Sequence, residues 1–89
     1  EDRKAQAEAR RRAAEQARPL KAELARLEQR IADAGAERER LTLALSGPVA
    51  SPAERAELGR ALRQASDEIE ALESRWLELG ARIETLAGA

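Results

Sequence analysis

The residues with most chemistry to offer in this chain are arginines. The stretch "ARRRAAEQAR" sets Arg10, Arg11 and Arg12 in a row, and clustered arginines neutralise phosphates and release counterions. A second group, Arg38, Arg40, Arg55, Arg60 and Arg63, is set against Glu37, Glu39, Glu54 and Glu57, an excess of one positive charge and a weak footprint. The first run also has a plainer reading, a solvated face of a connecting helix on which Glu8 and Glu15 offset part of the charge. No aromatic stands beside either cluster to stack on bases, so neither amounts to a self-sufficient nucleic-acid domain.

Other chemistries are excluded or left without a scaffold. The 89 residues contain no His and no Cys, which removes the commonest general base and the commonest metal ligands, and no metal site is expected. Asp67, Glu68, Glu70 and Glu73 crowd one stretch, but a catalytic acid and base need a pocket that perturbs their protonation. A thin helical rod offers none, and no enzymatic activity is expected of these residues. Hydrophobic residues make up 43% of the chain, nearly all Ala and Leu, with Trp76 the single aromatic. Such a composition favours an elongated helical object over a globule. No apolar run reaches the length of a membrane span and no signal-type segment is present; the expectation is a soluble, cytoplasmic protein with no membrane partner. The chain opens without Met in what reads as mid-helix, so it is expected to be part of a longer polypeptide.

The elements that must position these residues follow from periodicity. In the first half, Leu20, Leu24, Leu27, Ile31, Ala34, Leu41 and Leu45 trace a heptad stripe broken once, at Arg38. In the second half, Leu58, Leu62, Ala65, Ile69, Leu72, Trp76, Leu79, Ile83 and Leu86 alternate steps of four and three without a miss. Each stripe is a seam for a partner helix. Between them, "SGPVASPAE" reads as a stop and a start. Gly47 suits a left-handed helix terminus and Pro48 cannot continue the ladder; Ser51 is an N-cap, Pro52 occupies the first turn and Glu54 completes a capping box. The gap is about five residues, a length common between antiparallel helices.

The predicted fold is therefore all-α, a two-helix antiparallel coiled-coil hairpin with an N-terminal basic helical extension. Residues 1–17 form the lead-in and 18–89 the hairpin, with helix one at about 18–46, the tip at 47–51 and helix two at about 52–87. Folding the chain about residues 51 and 52 sets Leu45 against Leu58, Leu41 against Leu62, Ala34 against Ile69, Ile31 against Leu72, Leu27 against Trp76, Leu24 against Leu79 and Leu20 against Ile83. Arg38 falls opposite Ala65, where its stem can lie across the small residue while the guanidinium reaches water. Trp76 is thus read as core. On the flanks, the same fold sets Glu23 near Arg82, Arg30 near Arg75 and Glu37 near Glu68. Leu43 and Leu77 fall off the seam, either as ordinary exposed leucines or as part of a second contact surface. Residues before about 14 overhang the second helix, and Pro19 is expected to kink or restart the first. Residues 1–21 carry seven basic and four acidic side chains, net +3; residues 22–89 carry nine and thirteen, net −4.

The blocks "RPLKAELARLEQRIADAGAERERLTLAL" and "AERAELGRALRQASDEIEALESRWLELGARIETL" resemble the C-terminal coiled-coil domain of ABC-F family ATPases, of the Uup-like and YheS-like kind. The likeness rests on Pro19-Leu20, on "ELARLEQRI" and on the Trp-Leu-Glu-Leu block at Trp76 to Leu79, and spans roughly residues 18–86. The basic stretch ahead of it is similar to the helix leading out of the second cassette in that family. The tip departs from the family pattern, since Gly47-Pro48-Val49-Ala50 lacks the aromatic often found there. The resemblance implies a non-catalytic accessory arm. It would help a soluble twin-cassette ATPase to engage the ribosome or a nucleic acid (ribosomal RNA, tRNA or DNA), with Arg10, Arg11, Arg12, Arg38, Arg40, Arg55 and Arg60 as contacts. ATP and Mg would belong to cassettes outside these residues, because no GxxxxGK[ST] phosphate loop occurs here. Two other readings stand beside it: a hairpin that docks on the parent's own cassettes or forms a homodimer, and the helical arm of an aminoacyl-tRNA synthetase.

Overall fold

The structure is a computed structural model that describes residues 1–49 and 51–88. Two helices account for nearly all of them: α1 over Asp2–Ser46 and α2 over Pro52–Gly88. They pack side by side along a rod measuring 74 × 15 × 14 Å. At 1.5 Å rise per residue α1 is about 67 Å long, so the long dimension of the molecule is essentially that one helix.

The stop between the helices works differently from the expectation. Gly47 is not left-handed; it is extended, at φ −98° and ψ −172°. The cause is its neighbour, because the ring of Pro48 clashes with a helical preceding residue and pushes it into the extended region. The restart behaves as the sequence suggested: the Ser51 Oγ accepts the Glu54 amide at 3.1 Å, the N-cap bond. Ala50, placed in the tip by the sequence, lies outside the described residues. Pro19 does not restart the helix, and α1 runs through it. Its missing amide leaves the Glu15 carbonyl without a helical partner, and this side of α1, with Glu15 and Pro19 both exposed, gives that carbonyl access to water.

The seam holds the two helices together. Leu27, Leu41, Ile69, Leu72 and Leu79 are buried, as are Ala34 and Ala65; Leu20, Leu24, Ile31, Leu45, Leu58, Leu62, Ile83 and Leu86 are half-buried. Arg38 is exposed while Ala65 is buried, as a long polar side chain beside a small one requires. The sequence reading missed Ala17, which is buried and extends the seam one step before Leu20. The three-residue step from Ala17 to Leu20 was the signal for it.

Trp76 corrects the core reading. The central cluster is Leu27, Leu72 and Leu79, with Leu20, Leu24 and Ile31 packed against it, whereas Trp76 retains 37% of its surface. Two helices at 8–10 Å separation leave no third layer over the seam. Leu72 and Leu79, one turn before and after Trp76, are buried, while the larger indole keeps an open edge. The flanking charges also shift. Arg75 bonds Glu23 and Arg30 pairs with Glu68, each one heptad closer to the tip than the partner expected for Glu23 or Arg30. A flanking residue in an antiparallel pair lies between two candidates a heptad apart, and Coulomb attraction selects the opposite charge.

Gly59 sits in the middle of α2 on an exposed face, and a Cβ built there meets nothing within 4 Å. Replacing it with Ala is expected to stabilise the hairpin by about 0.5–1 kcal/mol, raising Tm by up to roughly 8 °C. A thermal melt showing no rise would mean that this face is already in contact with something.

Candidate functional site

The arginine run lies where α1 has left α2 behind. Every residue from Glu1 to Arg12 is exposed, and contact with α2 begins at Ala13 and Ala17. On a helix, consecutive residues stand 100° apart, so Arg10, Arg11 and Arg12 do not form one patch. Arg11 shares a face with Lys4 and Arg18, seven residues before and after it. Arg10 shares another with Arg3, continuing the seam positions 20, 17, 13, 10, 6 and 3. Here the apolar stripe becomes Arg10, Gln6 and Arg3. Arg12 stands on a third face, and Glu8 and Glu15 lie three or four residues from both Arg11 and Arg12, positions where opposite charges on a helix attract. The seam therefore changes from apolar to basic at the point where α2 ends.

Two of the tip arginines are already paired with glutamates. Arg40 donates from Nε and Nη2 to the two carboxylate oxygens of Glu37, at 2.9 and 2.6 Å, and Arg60 pairs with Glu57 at 3.3 Å. The Arg40 bonds hold the Glu37 carboxyl below its usual value, and the carboxylate in turn pushes the guanidinium up. Both arginines are thus engaged on their own helix. Among the described residues, Arg10, Arg11, Arg12, Arg38 and Arg55 make no ion pair.

Between tip and base the two flanks of the hairpin differ. One is closed by charge: Arg75 donates from Nε and Nη2 to Glu23 at 3.2 Å and from Nη1 to Glu78 at 3.4 Å, while Arg30 reaches Glu68 at 3.9 Å. The hydrogen bonds to Glu23, and secondarily to Glu78, hold the Arg75 guanidinium above its ordinary value. The other flank is open. At the base, a hollow of about 180 Å³ is lined by Arg10, Ala13, Ala17, Lys21, Ile83 and Leu86. Further up the same flank, Glu28, Ile31, Ala32, Glu73 and the exposed edge of Trp76 line a shallower hollow. Leu43 and Leu77 remain about two-thirds exposed, but one lies at the tip end of α1 and the other towards the base end of α2, so they form no common patch.

Among the described residues no cluster of acidic side chains is placed to hold a metal, and no helix is long and apolar enough to cross a membrane. Asp67, Glu68, Glu70 and Glu73 lie along an open helix surface with no enclosing pocket. The molecule is thus a rod with one flank bridged by charge, one open flank and a basic extension.

Comparison with known proteins agrees. Residues 16–81 match the family model of the ABC transporter C-terminal domain, and the chain belongs to that family. It is a family of small helical domains distinct from the ATPase cassette. No curated protein and no solved structure matches the chain. Membership decides against the synthetase-arm reading.

Proposed function

We propose that this hairpin is the C-terminal arm of an ABC-F ATPase of the Uup-like or YheS-like kind, and that it adds a nucleic-acid contact through the outer face of the start of α1. The observation that carries the reading is the stripe Lys4, Arg11 and Arg18. All three are exposed, without an ion pair among the described residues, and spaced about 10.5 Å apart along one face. Phosphates attract such a stripe whatever the sequence of the strand, and with no aromatic alongside it reads backbone, not bases. The tip contributes little, because Arg40 and Arg60 are already engaged by Glu37 and Glu57. Arg12 stands off this stripe, with Ala5 and Pro19 seven residues before and after it, so it extends no basic face.

The test is a titration of the chain against labelled structured RNA and duplex DNA at low and moderate salt. Replacing Lys4, Arg11 and Arg18 with Gln is expected to weaken binding strongly and to flatten the salt dependence, by up to ~0.9 in log–log slope per lost duplex contact. Arg12→Gln alone is expected to change affinity little. Binding by the parent chain that is untouched by the triple replacement would sink the assignment of the stripe. No binding at low salt would sink the nucleic-acid reading and leave docking on the parent's cassettes in its place.

A further inference from the structure

We propose that the hairpin pairs with a second copy of itself, base to base about a two-fold axis, each copy laying its exposed α1 start along the open flank of the other. Four observations support it.

The first is charge. The seam positions of the extension present Arg3 and Arg10, while the upper part of the open flank presents Glu28 and Glu73 around the edge of Trp76, above a base hollow that carries Lys21 and that copy's own Arg10. None of these four makes an ion pair among the described residues of the single chain. The asymmetry between the +3 of residues 1–21 and the −4 of the remainder is satisfied when one copy's start meets the other's flank. The second is length. The exposed stretch Asp2–Arg12 spans about 16 Å, and Leu86 in the base hollow lies about 15 Å along α2 from Trp76. An extension entering at the base hollow therefore ends near the Trp76 hollow.

The third is the side chain that would be received. A guanidinium set against the exposed indole and between two carboxylates gains both a cation–π contact and ion pairing. Arg3 is the residue placed to reach it. The fourth is steric. The extension is rich in alanine, at Ala5, Ala7, Ala9, Ala13 and Ala14, so helix axes can approach closely along it. The opposite flank has its own base hollow, lined by Leu20, Arg82 and Thr85, but no carboxylate lines it, and above it Arg75, Glu23, Arg30 and Glu68 neutralise one another. A two-fold arrangement uses both copies' extensions and both flanks, and closes without leaving a free interface for further copies. Lys4, Arg11 and Arg18 stand about 100° round α1 from Arg3 and Arg10, so the proposed phosphate stripe borders the pairing face and takes no part in the contact of Arg3 with Glu73.

Sedimentation equilibrium on the whole chain from micromolar to millimolar concentration tests the pairing, with Trp76 emission followed over the same range. The expected result is a monomer–dimer equilibrium with concentration-dependent emission from this single indole. Glu73→Arg is expected to weaken it by ~10-fold or more through like charge, and Arg3→Glu alone to do the same. Combining the two restores pairing, because the charges are exchanged and not lost. All the altered side chains are exposed, so circular dichroism should show the hairpin unchanged in each variant. A strict monomer at millimolar concentration overturns the proposal. So does a dimer that ignores Glu73→Arg, or one that the double variant fails to restore. Nucleic-acid affinity tested through Lys4, Arg11 and Arg18 stands or falls separately.

Discussion

Leu79→Ala is expected to cost about 2–5 kcal/mol and to leave the hairpin largely unfolded at moderate temperature. Leu79 is fully buried and belongs to the central cluster with Leu27 and Leu72. Truncating it removes apolar contact and leaves a cavity that two helices, stiff along their length, close only in part. The total stability of a chain this size is roughly 4–13 kcal/mol at 0.05–0.15 kcal/mol per residue, so the loss is a large share of what exists. Leu43→Ala supplies the contrast, since Leu43 is 66% exposed and its truncation should lie within about 0.5 kcal/mol of the parent. Thermal melts followed by circular dichroism at micromolar concentration separate the two. A Leu79→Ala variant melting within a few degrees of the parent would show that the cluster is not what joins the helices.

Pro19→Ala is expected to act with comparable size and opposite sign. Proline inside a helix forfeits one backbone hydrogen bond and its ring crowds the carbonyl four residues back, a penalty of about 3 kcal/mol. Pro19 is exposed and α1 is helical on both sides of it, so the replacement can restore the bond to the Glu15 carbonyl without disturbing a contact. A gain of about 1–3 kcal/mol, with protection of the new residue-19 amide in hydrogen exchange, is the expected outcome. An unchanged or lower Tm would mean that the backbone shape imposed by Pro19 is what seats Ala17 and Leu20 against α2. The proline would then be part of how the extension joins the hairpin.

The fold was legible because its signals are local and repeated. Two stripes of alternating four and three steps, a Gly-Pro stop and a Ser-Pro start determine two helices and their antiparallel return, whatever the details of contact. The open flank was not legible. The sequence set Trp76 in the seam, where its position in the heptad belongs. Only the packing of two real helices shows that the indole keeps 37% of its surface, with an open edge beside Glu28 and Glu73. The arginine run was read as one cluster because letters adjoin on a line, while the helix separates Arg10, Arg11 and Arg12 onto three faces.

Sequence alone thus determined that the chain is an antiparallel hairpin with a basic start. Heptad spacing and breaker residues carry that information residue by residue. Tertiary structure decided which charges are spent and which remain. A glutamate's partner is set by which of two arginines a heptad apart comes within reach across the interface, a distance that no linear pattern contains. Arg75 bonded to Glu23 seals one side of the rod; Trp76, Glu28 and Glu73 leave the other open.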